Sequence, residues 1–547
     1  MSVYVAEDFS PDEADVLRRY FTNLDQPVFA LTNLPEVVKG ALFARYSRSP
    51  KSLRRLFLDE FVGELDISGD TTIDATVGLE RAEELYQRVF FEYGDDSVAQ
   101  LGGVHLACEQ ASNVLTKILE WGRLMAYLEQ STRYIEYDAR LGGRYRYYRD
   151  PEILVSPLGA RYVGDLDRIF DIYAELGPLM QEHFRDAHPK DPDDSDFVYR
   201  QTIRAKALDS LRGILPAASL SNVGIYGSGQ AYESLLLRMR SHPLPEARTY
   251  ADLMLVELRK VIPSFLRRVD LPDRGGAWSD YISDTATATA TAVERLIGTA
   301  EGGPSDDATV TLVDFDPDAE VKVAAAIAYS MSNLPELEID RRVRQLSAAE
   351  RRELIDSYVG RRTNRRHKPG RAFERASYRF DVLSDYGAFR DLQRHRMLTI
   401  EWQPLSVRHG YVMPAAVSDA GLTGRFEEAM DRSANLYDDL LAAGFDDRAP
   451  YAVSLAYRVR YVMQLNARAA MHMLELRTTP QGHPAYRRVC QEMHRLIAEE
   501  AGHRAIAAAM SHVDHGTYDL QRLESERRAE ARRRSSGAAH DNGAPTG

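Results

Sequence analysis

Residues 121–134 read WGRLMAYLEQSTRY, and residues 394–408 read RHRMLTIEWQPLSVR. The run Glu129-x-Ser131-x-Arg133 offers a carboxylate acceptor, a hydroxyl and a planar cation within a few ångströms, which suits a phosphate attached to a sugar and a ring. The run Arg394-His395-Arg396 packs two fixed cations around an imidazole, which suits a pyrophosphate or an anionic ring. Each cluster taken alone is also compatible with a solvated helix face, so its place in the whole chain matters.

An internal repeat connects the two halves of the chain. The tetrapeptide Asn33-Leu34-Pro35-Glu36 recurs as Asn333-Leu334-Pro335-Glu336, and later landmarks follow in the same order. Repetition of this kind indicates two copies of one structural unit.

The length of 547 residues also exceeds what one hydrophobic core usually supports. The segment 271–306 contains LPDRGG, TATATATA and EGGPSDD, which lack apolar periodicity and are rich in turn formers. We therefore predict a domain at 1–270, a linker at 271–306 and a second domain at 307–515. The remaining residues, 516–547, are too polar to bury a core and are predicted to be a disordered tail.

Hydrophobic periodicity predicts a helix-rich α+β fold, with a small sheet flanked by long helices in each domain. The predicted helices are 109–130, 165–185, 246–268, 423–444, 462–477 and 484–511. The predicted strands are 309–315, 144–148 and 378–383.

The composition, 44% hydrophobic and 28% charged, is typical of a soluble globular protein. No apolar run is long enough to span a bilayer, and the acidic N-terminus is unlike a signal peptide, so we expect a cytoplasmic location without membrane partners. The net charge of −13 argues against nucleic-acid binding by the whole surface. Cys108 and Cys490 lack metal-ligand spacing, so we expect core thiols and no metal site.

The two arginine-rich stretches resemble the signature of the flavin-dependent thymidylate synthase family. That signature is Arg-His-Arg, seven residues, then Ser-x-Arg-Tyr, with Glu two positions before the Ser. The first copy matches its latter part and departs at Trp121 and Gly122; the matching residues are Arg123, Glu129, Ser131, Arg133 and Tyr134. The second copy keeps Arg394, His395 and Arg396 but has Pro404 at the Ser position, unless an insertion of two residues restores Ser406-Val-Arg408.

Downstream elements of the family are divided between the copies in a complementary way. The first copy has Arg212-Gly-Ile-Leu-Pro216, which with Arg238 matches the nucleotide-contacting arginines, but Gly227 and Gly229 stand at the flavin-contacting Asn-x-Arg. The second copy lacks Arg-x-x-Leu-Pro but has the flavin-side pattern, namely Asn466, Arg468, His472 and the paired Arg477. Asn466 is also suited to be a helix N-cap, and His472 to be a packed core histidine.

The resemblance implies two tandem synthase-like domains that carry out reductive methylation of dUMP to dTMP. The implied cofactor is FAD, with NADPH and methylenetetrahydrofolate as co-substrates. It implies catalytic roles for Arg238 and Arg477, and substrate binding by Glu129, Ser131, Arg133, Arg212 and Arg238. Flavin binding falls to Arg394, His395, Arg396, Asn466, Arg468 and His472. Because family members are homotetramers with sites between subunits, we expect a homodimer that mimics the tetramer, with about half the sites competent.

Three alternatives remain open at this stage. Because the signature is split, the chain could be a non-catalytic flavin- or nucleotide-binding paralogue. It could also be a flavin enzyme that acts on a different pyrimidine nucleotide, since pocket walls rather than the phosphate clamp select the base. A di-iron helical protein is suggested by Glu500-x-x-His503, although such a bundle needs a second pair and two further glutamates.

Overall fold

In the computed structural model, the residues described are 4–34, 38–39, 42–43, 46, 49–60, 103–133, 135–298, 309–520, 522–523, 526–528 and 530–531. They divide into two compact units, and each unit is assembled from three segments of the chain. Unit 1 comprises Met1–Ala174, Ile214–Gly302 and Glu427–Ser454. Unit 2 comprises Glu175–Gly213, Gly303–Phe426 and Leu455–Gly547. No described helix has the length and apolar character that a membrane crossing requires.

Each unit contains one four-stranded antiparallel sheet, and the two sheets have the same topology. In unit 1 the strands are β1 Val28–Ala30, β2 Gly103–Ser112, β3 Met125–Glu129 and β4 Leu220–Ser228, in the order β1-β2-β4-β3. In unit 2 they are β5 Val310–Phe315, β6 Ser377–Asp385, β7 Thr399–Trp402 and β8 Arg458–Asn466, in the order β5-β6-β8-β7. The shared order confirms the prediction of two tandem copies in a helix-rich α+β fold.

Helices surround the sheets and make up most of the regular structure. Along the first half of the chain they are α1 Pro11–Leu17, α2 Leu53–Glu60, α3 Asn113–Leu119, α4 Pro151–Val155, α5 Gly159–Ala187, α6 Asp196–Leu211, α7 Gly229–Arg240, α8 Pro245–Arg259 and α9 Ala277–Leu296. Along the second half they are α10 Ala319–Ser330, α11 Glu336–Gln345, α12 Ala348–Val359, α13 Tyr386–Leu392, α14 Ala415–Asp419, α15 Thr423–Ala442, α16 Ala467–Arg477, α17 Pro484–Glu499 and α18 Arg504–Ala509.

In each sheet, two strands run directly into a helix, and the last residue of the strand caps that helix. The last residue of the strand accepts a hydrogen bond from the third backbone N–H of the helix that follows, which satisfies one of the helix's free donors. The capping residues are Ser112 before α3, Ser228 before α7, Asp385 before α13 and Asn466 before α16. These four caps fix which positions of the two copies correspond.

Several predictions from periodicity are confirmed. Helices at 165–185, 246–268 and 423–444 correspond to α5, α8 and α15, although α8 ends at Arg259. The strands at 309–315 and 378–383 are β5 and β6. The helical prediction at 484–511 corresponds to α17 and α18 with a break between them.

Other predictions from periodicity are wrong. The predicted helix 109–130 is the end of β2, then α3 and β3, and the first part of 462–477 belongs to β8. Most residues of β2 are buried, and a short, mostly apolar run cannot be told from a buried helix by periodicity. In β8 every second residue is buried, a strand pattern that the helical prediction overlooked. Residues 144–148 form only isolated bridges, where aromatic content suggested a strand.

The segment predicted as an irregular linker contains helix α9, although none of its residues is buried. Threonine disfavours helices only modestly, and alternating alanines supply high propensity. The hydroxyls of Thr287 and Thr291 donate to the carbonyls of Ser283 and Thr287, so their polar groups are satisfied inside the helix.

Part of the predicted tail is anchored by arginines. Arg527 donates to both carboxylate oxygens of Asp194, at 2.6 and 3.0 Å, and Arg522 is buried with Asp209 at 3.9 Å. A search for apolar side chains misses such ionic anchors. Residues 532–547 of that tail lie outside the described residues.

The Asn466 cap gives a direct test of the strand and helix junction. Its side-chain oxygen accepts from the N–H of Ala469 at 2.8 Å. Replacement by alanine removes this acceptor, so Asn466→Ala should cost about 1 kcal/mol of stability and lower the melting temperature by roughly 2–4 °C. Asn466→Ser, which also caps, should melt close to wild type in a calorimetric scan. Equal destabilisation by both variants would show that the asparagine acts in some other way.

Candidate functional site

A cluster of polar side chains in unit 2 gathers around Arg477, the last residue of α16. The Arg477 Nε donates to Nε2 of His395 at 2.9 Å, and its Nη1 lies 3.6 Å from Oδ1 of Asp391. The guanidinium carbon also lies 5.4 Å from the ring centroid of Tyr486. These three contacts hold the guanidinium in one place.

Asp391 joins a second guanidinium to the cluster. Arg212 lies at the C-cap of α6 and is almost fully buried, and its Nη1 donates to Oδ2 of Asp391 at 3.3 Å. The carboxylate on α13 is thus shared between Arg212 and Arg477. The sequence assigned Arg212 to the nucleotide-binding first copy. In the structure it belongs to unit 2, together with Arg477 of the second copy.

His395 is held as a neutral imidazole. Loss of solvent contact, followed by the charge of Arg477 and the neighbouring His472, lowers the pKa of His395 well below its ordinary value. Since Nε2 accepts from Arg477, the single proton of the neutral ring is assigned to Nδ1. The ring of His472 stands edge-on to it, with centroids 5.7 Å apart.

Further basic groups lie on α16 and on the loop that contacts it. Nζ of Lys368 contacts Nδ1 of His472, and burial lowers the pKa of Lys368. Burial, then the Lys368 charge, also lowers the pKa of His472. Arg468 donates to the carbonyl of Pro369 at 3.1 Å and pairs with Glu374 at 3.4 Å.

Arg394 and Arg396 flank His395 in the loop that follows α13. Arg394 is half-buried and Arg396 is exposed. The third predicted flavin residue on α16, Asn466, uses its side-chain oxygen as the helix cap. In this structure the asparagine therefore has a structural role that accounts for its position.

The first copy places different chemistry at the corresponding positions. Trp121 and Gly122 stand as far beyond the Ser112 cap as Arg394 and His395 stand beyond Asp385. Glu129 is buried and its Oε2 lies 3.2 Å from Nζ of Lys117, which also contacts Glu120 at 2.5 Å. The Glu129 carboxylate is therefore committed to a buried ion cluster.

The caps also shift the expected correspondence of Arg238. Met239, rather than Arg238, stands as far beyond Ser228 as Arg477 stands beyond Asn466, and Met239 is fully buried. Arg238 instead lies 4.8 Å from the ring centroid of Trp121. Its Nε and Nη2 are buried and make no hydrogen bond to a described residue. Burial lowers the pKa of this guanidinium.

Ser131 and Arg133 form a short turn after β3. The hydroxyl of Ser131 accepts from the backbone N–H of Arg133 at 3.3 Å, and both side chains are half-buried. Tyr134, the last residue of the matched signature, lies outside the described residues.

The unit 2 cluster has the donor set of an anion site. Arg212 and Arg477 share one carboxylate, Lys368 contacts a neutral imidazole, and the exposed Arg396 lies beside His395. Guanidinium donors in a partly dehydrated site bind phosphate or an anionic ring strongly.

In the part of the chain that the structure covers, no group of three or more His, Cys, Asp or Glu side chains could hold a metal ion. His503, from the di-iron alternative, contacts Tyr378 at 2.9 Å.

Two residues of the cluster were missed from the sequence, namely Asp391 and Lys368. Asp391 lies four residues before His395, near the end of α13, and nothing in the sequence pattern marks it as a partner of Arg212 and Arg477. Lys368 ends the basic run 361–368, which reads RRTNRRHK and is typical of a solvated loop. Only the fold brings that loop to α16.

The state of His395 can be measured directly. We expect that NMR of histidine-labelled protein shows His395 still neutral at pH values where an ordinary imidazole is protonated, since burial and the Arg477 charge lower its pKa. The unfolded chain binds this proton near pH 6.5, so the site should lose stability as pH falls below about 6.5. Arg477→Met removes a neighbouring cation and should raise the His395 pKa. An ordinary titration in wild type would contradict the neutral assignment.

Comparison with known proteins agrees with the duplicated architecture. The family model Thy1, thymidylate synthase complementing protein, matches residues 44–264 and again 311–502. A UPF0159 protein of Chlamydia muridarum is 39% identical over 528 residues, covering 96% of this chain and 99% of the relative. UPF0159 protein Ta1429 of Thermoplasma acidophilum is 31% identical over 512 residues, covering 89% of this chain and 97% of the relative.

A solved structure gives a weaker likeness. The UMP/dUMP methylase PolB from Streptomyces cacaoi, bound with 5-Br dUMP, has 22% identity and a TM-score of 0.31, covering 37% of this chain and 96% of PolB. The family assignment rests on the matched segments and the full-length relatives. The chain belongs to the thymidylate synthase complementing family, the flavin-dependent thymidylate synthases, as two diverged copies of the domain in tandem.

Proposed function

We propose that the protein catalyses the reductive methylation of dUMP to dTMP, with methylenetetrahydrofolate as carbon donor, FAD as cofactor and NADPH as reductant. In this reaction the methylene carbon is joined to C5 of the uracil ring, C5 loses its proton, and a hydride completes the methyl group. Family membership supports the reaction class. The observation that carries the site assignment is the cluster of Arg212, Asp391, His395 and Arg477 in unit 2.

Arg477 is the residue suited to stabilise charge on the pyrimidine. Removing the C5 proton and adding carbon places negative charge on the ring, and a fixed guanidinium at that point lowers the barrier by several kcal/mol. His395 and Asp391 fix its orientation before the substrate arrives. Such preorganisation avoids rearrangement during the reaction.

Arg212 is suited to hold the nucleotide phosphate. Nη1 is directed to Asp391, while Nη2 is buried and makes no hydrogen bond to a residue in the described ranges. A buried donor of this kind favours an anionic acceptor strongly. Ser131 and Arg133 of the first copy are proposed as further nucleotide contacts, on the family signature alone.

The donor set near His395 fits an anionic flavin. Arg394, Arg396 and Arg468 supply guanidinium groups, and the neutral His395 can donate through Nδ1. When bound, the flavin supplies the hydride that the methyl transfer consumes. The protein contributes orientation, charge and exclusion of water. Trp121 and Gly122 provide none of these donors in the first copy.

A non-catalytic binding role is the second candidate. It is favoured by Glu129, whose carboxylate contacts buried Lys117 where the family uses this position at the nucleotide. Such a protein would retain flavin and nucleotide but produce no dTMP. A different pyrimidine nucleotide as substrate would instead give methylation with an altered base preference.

Arg477 provides the catalytic test. Anaerobic protein carrying reduced FAD is mixed with dUMP and methylenetetrahydrofolate, while flavin absorbance and dTMP are followed. We expect Arg477→Gln to slow dTMP formation by roughly 100-fold or more, because one preorganised charge donor is lost. Arg238→Gln is the matched variant in the first copy. Because Met239 rather than Arg238 stands at the position equivalent to Arg477, we expect a smaller decrease in the rate of dTMP formation.

The outcomes separate the candidates. If wild type binds FAD but dUMP causes no flavin oxidation, the binding role replaces the catalytic one. If Arg238→Gln is the more damaging change, the first copy supplies the catalytic arginine and the assignment of the two copies is reversed.

A further inference from the structure

Unit 2 contains a large groove apart from Arg477. A cavity of about 930 Å³ lies along α17 and the ends of β5 and β6, and a second of about 360 Å³ adjoins it. Both are lined by Asp385, Val412, Ala485 and Arg488, so they form one continuous space. We name this space the arginine groove.

Two arginines of the groove have no ionic partner within the described ranges. Arg458 begins β8 and is half-buried, and Arg488 lies exposed on α17, where the two cavities meet. Arg212 also lines the smaller cavity, but its Nη1 pairs with Asp391 at 3.3 Å. Arg458 and Arg488, kept without counter-charges from the described residues along one cavity, point to a ligand that supplies the charge.

Most other charges of the groove wall have a partner. Burial lowers the pKa of Lys206 in the smaller cavity, and the charge of Asp209 acts in the opposite direction. Arg495 contacts Glu492 at 2.5 Å and Glu499 at 2.6 Å, which accounts for both of those carboxylates. Asp209 lies 3.9 Å from Arg522. His494 and His515 contact each other at 3.0 Å between ring nitrogens.

Asp385 is the one wall carboxylate without a direct ion pair among the described residues. Oδ1 accepts from the N–H of Ala388 as the cap of α13. Burial raises the pKa of Asp385, while the charges of Arg212 and Arg488 act in the opposite direction. Arg458 and Arg488, which have no ion pair of their own in the described part of the chain, therefore share the groove with one carboxylate that is costly to ionise.

We propose that the arginine groove binds a polyanionic ligand that presents a row of carboxylates or phosphates. Arg458 binds anionic groups in the larger cavity, and Arg488 binds those at the junction of the two cavities. A folate with a glutamate chain and a phosphorylated dinucleotide both have this chemistry. The site is defined by residues beside the Arg477 cluster, so binding is measurable without methyl transfer.

Calorimetric titration of the full-length protein with two probes tests the proposal. Tri-γ-glutamate represents the carboxylate source, and inorganic tripolyphosphate represents the phosphate source. We expect at least one probe to bind, and the double variant Arg458→Gln/Arg488→Gln to weaken it by tenfold or more. Arg495→Gln is the matched control, since that arginine lines the same groove but is occupied by Glu492 and Glu499.

Asp385→Asn gives a change in the opposite direction. Asparagine retains the helix cap but removes the opposing charge, so this variant should bind the probe more tightly than wild type. Preferential binding of one probe assigns the carboxylate or the phosphate source. The proposal is overturned if neither probe binds wild type, if Arg495→Gln weakens binding as much as the double variant, or if Asp385→Asn has no effect. Melting temperatures near that of wild type establish that the variants are folded.

Discussion

The carboxylate of Asp391 lies between two guanidinium groups, and the arrangement of the candidate site depends on it. Arg212 and Arg477 approach the same side chain, at 3.3 and 3.6 Å, in partly buried surroundings. Without that carboxylate, the two cations would repel each other with little screening. Its presence leaves a net positive centre that is fixed in position, and a neutral His395 completes it by accepting from Arg477.

Four strand ends determine where this chemistry can occur. A capping side chain begins each helix at the end of a central strand, so residues at a fixed distance from the cap occur at equivalent places in both copies. Duplication therefore produced two equivalent frameworks, and divergence changed the side chains on each. The second framework carries arginine and histidine where the first carries Trp121, Gly122 and Met239. In the first copy, the buried Lys117 pairs with Glu120 and Glu129.

The sequence was sufficient to predict the duplication, the strands β5 and β6, the long amphipathic helices and the family. It was not sufficient for β2, because a mostly buried strand has no period that separates it from a buried helix, whereas the alternation of β8 was overlooked. Pattern matching placed Arg238 opposite Arg477, whereas the caps place Met239 there. Asp391 and Lys368 were missed because their importance comes from contacts between distant segments. Asn466 could be interpreted either as a ligand or as a cap, and only backbone geometry identifies the hydrogen bond to Ala469.

The central claim is that the flavin-binding framework survives in one copy only. The most direct measurement is the amount of FAD bound per chain, from the absorbance of saturated protein after removal of free flavin and from the protein concentration by amino-acid analysis. The account predicts about one FAD per chain, because Arg394, His395 and Arg468 have no counterparts in the first copy. A value near two would show that the Trp121 framework also binds flavin, and it would contradict the division of roles between the copies.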